Sequence, residues 1–184
     1  MAMLPNLVRY YRRSARDEIG GFLSRGWKKA ESQHVTVVDD KSLADVITIS
    51  ERQWDQSHSR ALLNYSRIFK NTFYALKRDG EVVGYCLCCI RPRISLRGLH
   101  KISAICSFVV REDWRGRGAG RMIMEHVIKE MRLNNVSLMY LYVMMENHKA
   151  INLYESCGFK KVDTIGDICQ LGSDCYKMEL KLSN

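Results

Sequence analysis

Residues 106–131 read CSFVVREDWRGRGAGRMIMEHVIKEM, and positions 115–121 within them, RGRGAGR, hold three glycines and three arginines. An apolar run precedes this heptapeptide. After it, Ile123, Val127 and Met131, with Met124 and Ile128 beside them, recur at helical spacing and leave Glu125, Lys129 and Arg132 on the other side. The pattern predicts a buried strand, a tight turn and a helix. At the start of such a helix the first backbone N–H groups lack an intrahelical acceptor, and the macrodipole adds about half a positive charge. Small residues let an anion approach those groups, while Arg115, Arg117 and Arg121 can add charge-assisted contacts, so a phosphate or pyrophosphate suits the turn.

Three familiar phosphate loops fail on residue identity. A Walker A loop ends in Gly-Lys-Ser/Thr, where Arg121-Met122 stand here. A dinucleotide fingerprint needs glycine in place of Arg121 and an acidic residue at the end of a second strand, which VSLMYLYVM (136–144) does not supply. A kinase glycine loop runs into a strand, not a helix. A plain strand-to-helix turn with solvated arginines stays open on these residues alone.

A chain of 184 residues, 46% hydrophobic and 27% charged, is sized for one core with some decoration. Its apolar runs are strand-sized, short of the roughly 20 residues that a membrane span needs. Arginines interrupt the stretch MAMLPNLVRYYRRSARDE, so no secretory core is read there and a cytoplasmic protein is expected. The seven cysteines, Cys86, Cys88, Cys89, Cys106, Cys157, Cys169 and Cys175, show no framework spacing, and reduced thiols are expected. Cys86 and Cys89 form a C-x-x-C without the second pair of a metal site, and no metal is expected. A net charge of +9 points to anionic partners such as RNA, an acidic protein or a phosphorylated cofactor.

Residues 1–33, with seven Lys/Arg against three Asp/Glu, read as a basic amphipathic helical extension broken near Gly20-Gly21, with Arg9, Arg12, Arg13 and Arg16 on its polar side. Residues 34–184 read as the main domain. HVTVV is a strand, SLADVITISERQW and SRALLNYSRIFK are helices, and TFYALKRDGEVVGYCLCCI is a hairpin turning at Asp79-Gly80. A basic connection, RPRISLRGLHK, leads to the buried strand ISAICSFVV. Beyond the glycine turn come the strand VSLMYLYVM, the short helix NHKAINLYESCG capped by Asn147, and the strands FKKVDTI and DCYKMEL. Strand–helix–strand order in the second half implies parallel pairing there, and hairpins imply antiparallel pairing elsewhere. The expected class is α/β with mixed α+β character: a mostly antiparallel sheet flanked by helices.

The set V-V-x-x-x-W-R-G-R-G-A-G (109–120), followed by N-x-x-A-I-x-L-Y-x-x-x-G-F (147–159), resembles the GNAT N-acetyltransferase superfamily. DCYKMEL is similar to the closing strand of its N-terminal and ribosomal-protein alanine acetyltransferase branch. The resemblance implies acetyl-CoA as co-substrate, seated between two parallel strands that splay apart, ICSFVV and MYLYVM. It implies that backbone groups of Val109 and Val110 meet the pantetheine arm and that the amides of Arg115, Gly116, Arg117, Gly118, Ala119, Gly120 and Arg121 hold the pyrophosphate. Asn147 would touch the pantetheine side, and Tyr154 would contact the cofactor and serve as the acid for the leaving thiolate. The amine would attack the thioester directly, without a cysteine nucleophile.

The position where that branch often carries a Glu or His base is Tyr142, and an ordinary phenol, with a pKa near 10, is a poor base at neutral pH. Either a water chain to the strand backbone drains the proton, or another group such as Glu146, Asp167 or His100 takes it. In the superfamily the acceptor is chosen by segments that match QWDQSHSR (53–60) and DTIGDICQLGSD (163–174); Asp163, Asp167 and Asp174 could attract a cationic amine or merely favour turns. A protein N-terminus leads the candidate acceptors, ahead of lysine side chains and small amines. The other function class is a non-catalytic acyl-CoA-binding module that holds RNA or an acidic partner on Arg9, Arg12, Arg13, Arg16, Arg91, Arg93 and Arg97.

Overall fold

The computed structural model of the chain describes residues 15–53, 56–96, 98–166 and 173–182. Arg9, Arg12, Arg13, Arg97, Asp167 and Cys169 lie outside them. Helix α1 (Ala15–Leu23) precedes strand β1 (Val35–Val37), helices α2 (Asp40–Gln53) and α3 (Gln56–Ile68), and strands β2 (Phe73–Arg78), β3 (Glu81–Ser95) and β4 (Gly98–Val110). Helix α4 (Ala119–Leu133), strand β5 (Val136–Met144), helix α5 (His148–Ser156) and strands β6 (Lys160–Ile165) and β7 (Cys175–Lys181) complete the order. The strands form one sheet, β1-β2-β3-β4-β5-β7-β6, in which β4–β5 is the parallel pair and the other neighbours are antiparallel. This is the expected mixed sheet. None of the described helices is long and apolar enough to cross a membrane.

Side chains along a strand alternate between the two faces of a sheet, and cross-strand partners share a face. Cys86 and Phe108 are partners on one side. There Phe108 meets Tyr154 of α5, and Leu153 of α5 lies over Gly120 of α4, so α4 and α5 cover this face. Tyr85 lies on the other face, where Ser107 of β4 reaches it and His58 of α3 in turn reaches Ser107.

Helix α1 runs through Gly20 and Gly21 to Leu23, in contrast to the break expected there. The two glycines serve packing: a Cβ on Gly20 would overlap the Ile90 carbonyl oxygen, and one on Gly21 would press on Ile68. Removing the side chains lets the helix lie directly on β3 and α3, which outweighs the weak helix propensity of glycine. Gly20→Leu should therefore lift α1 off β3 and cost about 1–3 kcal/mol of overpacking. At about 2–4 °C per kcal/mol for a chain of this size, a thermal melt reads the loss, and an unchanged Tm would show that the helix is not seated this way.

Trp27 also precedes position 34 and is buried in the same core. Its indole N–H donates to Glu130 Oε2 of α4 at 3.0 Å, beside the Tyr74 hydroxyl, which donates to the same oxygen at 2.9 Å. The Ala30 N–H reaches Oε1 at 3.1 Å, and His126 Nε2 stands 3.2 Å from it.

Two further expectations change. The segment expected as a basic connection is strand: β3 continues to Ser95 and pairs with β4 as far as Ser95↔Gly98. Beyond Leu87, β3 has no β2 partner, so Pro92 sits where a missing N–H costs no ladder bond on that side. Nor are all the cysteines reduced, since Cys89 and Cys106 form a disulfide. The register shift between Leu87 and Cys88 leaves Cys106 as an extra residue on β4, with its Cα 6.2 Å from that of Cys89, inside bridging range. Cys86, Cys88, Cys157 and Cys175 are thiols outside any disulfide.

Candidate active site

Strands β4 and β5 pair only at their beginnings, from Lys101↔Val136 to Ala104↔Tyr140. Past Ala104 they part. β5 continues along β7 from Leu141 to Met144, and β4 continues along β3 to Val110, so from Ile105 to Val110 β4 has no partner on its β5 side. Backbone polar groups alternate sides along a strand. The Arg111 N–H points to the Val83 carbonyl at 2.9 Å, and the Val109 carbonyl lies against Gly84, so Val109 turns its peptide towards β3. Phe108 and Val110 then turn theirs into the gap.

The glycine turn closes the wide end of this gap. Gly116 and Gly118 adopt φ of +73° and +80°, a conformation that favours glycine, and a Cβ at either would meet open space. Backbone shape, not crowding, requires glycine at these two positions. Gly118 is the N-cap of α4, and the first bond of the helix runs from the Met122 N–H to the Gly118 carbonyl at 3.0 Å. The N–H groups of Ala119, Gly120 and Arg121 thus have no intrahelical acceptor. The arginines are engaged within the chain: Arg115 donates to the Val110 carbonyl at 3.1 Å and to Gln53 Oε1 at 2.6 Å, Arg117 lies over the Trp114 ring, and Arg121 pairs with Glu125. An anion here is held chiefly by backbone amides and the helix terminus.

The Asn147 side chain caps α5, accepting the Ala150 N–H at 3.2 Å, as its position before the helix predicts. Two turns beyond Asn147, Tyr154 is buried between Phe108, at 6.1 Å between ring centroids, and Phe159, at 5.9 Å. Burial pushes its phenol well above the ordinary value, and nearby Cys86 and Cys157 add to the shift. No described residue hydrogen-bonds its hydroxyl, which therefore keeps its proton and has a free donor. The sequence-derived site residues fall into one assembly: turn, gap edge and Tyr154 all border the opening between β4 and β5.

The opposite face of the same opening carries different chemistry. Tyr140 and Tyr142 of β5 stand edge to face at 6.0 Å, and their β7 partners are Glu179 and Lys177. Lys177 is paired with Glu179 at 2.6 Å, which raises its pKa. Burial, then Tyr140, pushes the Tyr142 phenol up, so Tyr142 is a worse base than a free phenol. His100 bonds Ser95 near the tip of the β3–β4 hairpin; four residues before Ala104, it is about 13 Å along the strand from the parting point. Glu146 is exposed and accepts from Ser173, which lowers its pKa and weakens it as a base. Asp163 and Asp174 are exposed, on β6 and just before β7. Arg91, expected on a basic outer face, turns inward: it donates to the Tyr140 hydroxyl at 2.8 Å and lies 3.8 Å from the buried Asp17. Among the described residues no cluster of His, Cys, Asp and Glu is arranged to hold a metal ion.

Sequence reasoning passed over His58, Ser107 and Tyr85, which the fold joins on this face. The nearest sequence signal was the presence of His58 in the acceptor-facing segment 53–60.

The profile of the acetyltransferase (GNAT) family matches residues 41–159. An N-alpha-acetyltransferase of Sulfurisphaera tokodaii is 34% identical over 123 residues, covering 62% of this chain and 71% of that protein. Among solved structures, Ard1 from Thermoplasma volcanium superposes with a TM-score of 0.70 at 20% identity, covering 82% of this chain and 97% of that one. A chain of the NatC complex bound to Gag peptide and CoA gives 0.71 at 20% identity, over 81% and 98%. With the family profile spanning both the glycine turn and the Asn147–Tyr154 helix, on the fold those solved structures share, the chain belongs to the GNAT family of acetyl-CoA-dependent acyltransferases.

Proposed function

We propose that the chain transfers the acetyl group of acetyl-CoA to the α-amino group of a protein N-terminus. The observation that carries the transfer chemistry is the parted β4–β5 pair, which runs from the amide-rich start of α4 to the buried Tyr154. The acceptor class is supported by the name of the 34%-identical relative. In this reading the amides of Ala119, Gly120 and Arg121 and the turn from Arg115 to Gly118 hold the pyrophosphate. Val110 and Phe108, in place of the expected Val109 and Val110, offer the backbone edge for the pantetheine arm, and the Val110 N–H serves as oxyanion donor. Asn147 Oδ1 is committed to its helix, so its contact with the arm falls to Nδ2. The amine nitrogen bonds to the carbonyl carbon, the C–S bond breaks, and Tyr154 donates to the departing sulfur.

Gly118→Val tests the turn. A β-branched residue is strained at φ +80°, so the N-terminal amides should shift and acetyl-CoA affinity should fall by about tenfold, a cost of about 1.4 kcal/mol. Calorimetric titration reads it, and unchanged affinity would remove the turn from the cofactor site.

Release of free CoA from acetyl-CoA, measured across N-terminal peptides, lysine peptides, polyamines and aminoglycosides, tests the acceptor. Turnover with N-terminal peptides is expected; turnover confined to another class would replace the reading. The non-catalytic RNA-binding alternative has weaker support, because Arg91 is spent on Asp17 and Tyr140. Salt-sensitive RNA retention, from counterion release, would revive it.

A further inference from the structure

Among the described residues the earlier candidates give the amine's proton no good destination: Tyr142 and Lys177 are pushed up, Glu146 is exposed and engaged, and His100 is remote. On the acceptor face, three residues past the last β4–β5 pair, a polar chain leads inward from the β4 edge. His58 Nε2 lies 3.1 Å from Ser107 Oγ, and Ser107 Oγ lies 3.1 Å from the Tyr85 hydroxyl. All three residues are buried, His58 being 6% and Ser107 7% exposed, and Ser50 of α2 lies near the Tyr85 hydroxyl. We propose that Ser107 and His58 form the proton exit of the reaction, Ser107 meeting the acceptor amine and His58 acting as the general base behind it.

The proposal rests on the acetyl-transfer reading and adds a residue to it. Ser107 and Phe108 are consecutive on β4, so their side chains point to opposite faces. Phe108 packs on Tyr154, and Ser107 bonds His58. The proton donor and the proton acceptor thus flank the same two residues of the parted strand, one on each face. As the N–C bond forms, the amine proton passes to Ser107 Oγ while the serine proton passes to His58 Nε2, leaving an imidazolium. On the other face the C–S bond breaks and the sulfur takes the Tyr154 proton. His58 returns its proton to solvent and Tyr154 regains one, so the sum is amine plus thioester to amide plus thiol. A hydroxyl suits the middle position because it can accept one proton while giving another.

Among the described groups named here, imidazole is the type whose ordinary pKa lies near neutrality, about 6.5. Ser107 faces it from β4, Tyr85 follows from β3 with its phenol pushed up by burial, and Ser50 lies behind from α2. Neither serine nor a raised phenol takes a proton at pH 7.

The test compares wild type, His58→Gln and Ser107→Ala in acetylation of an N-terminal peptide, with thermal unfolding and acetyl-CoA titration alongside. Glutamine keeps a polar group of similar reach but cannot take the proton. Loss of a general base lowers kcat by about 100-fold or more. Both variants should show that loss with KM for acetyl-CoA and the melting temperature preserved. The deficit should shrink in the alkaline range, where hydroxide can take the amine proton in place of His58. A folded His58→Gln with wild-type kcat and pH profile would overturn the relay, and so would a deficit constant across pH, since a packing role predicts that. If His58→Gln does not fold, Ser107→Ala, which removes one oxygen, decides by the same two readouts. Wild type that turns over no amine would sink the acetyl-transfer reading itself, an outcome distinct from either.

Discussion

Replacing Tyr154 with phenylalanine should lower kcat by about 100-fold, within the range for removal of a general acid, and leave acetyl-CoA affinity within about twofold. The two side chains differ by one hydroxyl, and the ring contacts with Phe108 and Phe159 survive the change. What disappears is a donor with no partner among the described residues, in a site where burial holds the proton on the oxygen. A donor of that kind matters most when negative charge gathers on the sulfur, so the loss belongs to kcat and not to KM. Steady-state kinetics with separate titration of acetyl-CoA distinguishes the two. Equal losses in affinity and turnover would make Tyr154 a wall of the cleft, and an unchanged kcat would exclude it from the chemistry.

Glu130→Ala should be the most damaging change to stability, at about 4 kcal/mol, because breaking a buried charged pair leaves its partners uncompensated. Glu130 is 1% exposed and satisfies Trp27, Tyr74 and the Ala30 N–H while facing His126. Its loss strands those donors and unties residues 27–30 from α4. Burial raises the carboxyl pKa, but the hydrogen bonds from His126, Ala30 and Tyr74 and the charge of Lys29 outweigh burial, so the net shift is downward. A depressed folded pKa makes the contribution complete above the unfolded value, about 4.3 for glutamate, and removes it as pH falls through the folded value. Denaturant melts of wild type and variant should therefore differ most at neutral pH, and the gap should narrow as pH falls below about 4.3. A gap that widened on acidification would contradict the assignment.

What could be read in the sequence was what a short segment decides by itself. The turn at Gly116 and Gly118 follows from backbone conformation, the Asn147 cap from a side chain reaching three residues on, and the stripe of α4 from its period. The errors arose where a distant segment overrules local preference. Gly20 and Gly21 look like a helix break until β3 and α3 are seen against them. Pro92 and its arginine neighbours look like a loop until β4 folds back along them, and Cys89 finds Cys106 only through a bulge in that pairing. The Ser107–His58 pair was illegible for the same reason: no spacing in the chain brings position 58 to position 107. Arg91 misled in the opposite way, since its charge suggested solvent while Asp17 and Tyr140 draw it inward.

The central claim is acetyl transfer to a protein N-terminus from acetyl-CoA seated between β4 and β5. Its most direct test is a single peptide carrying both a free α-amine and an internal lysine, incubated with the protein and acetyl-CoA, with the added mass located by tandem mass spectrometry. One acetyl group is expected on the α-nitrogen, none on the lysine, and a sharp loss with Tyr154→Phe. Acetyl on the lysine alone, or a yield indifferent to Tyr154, would contradict it.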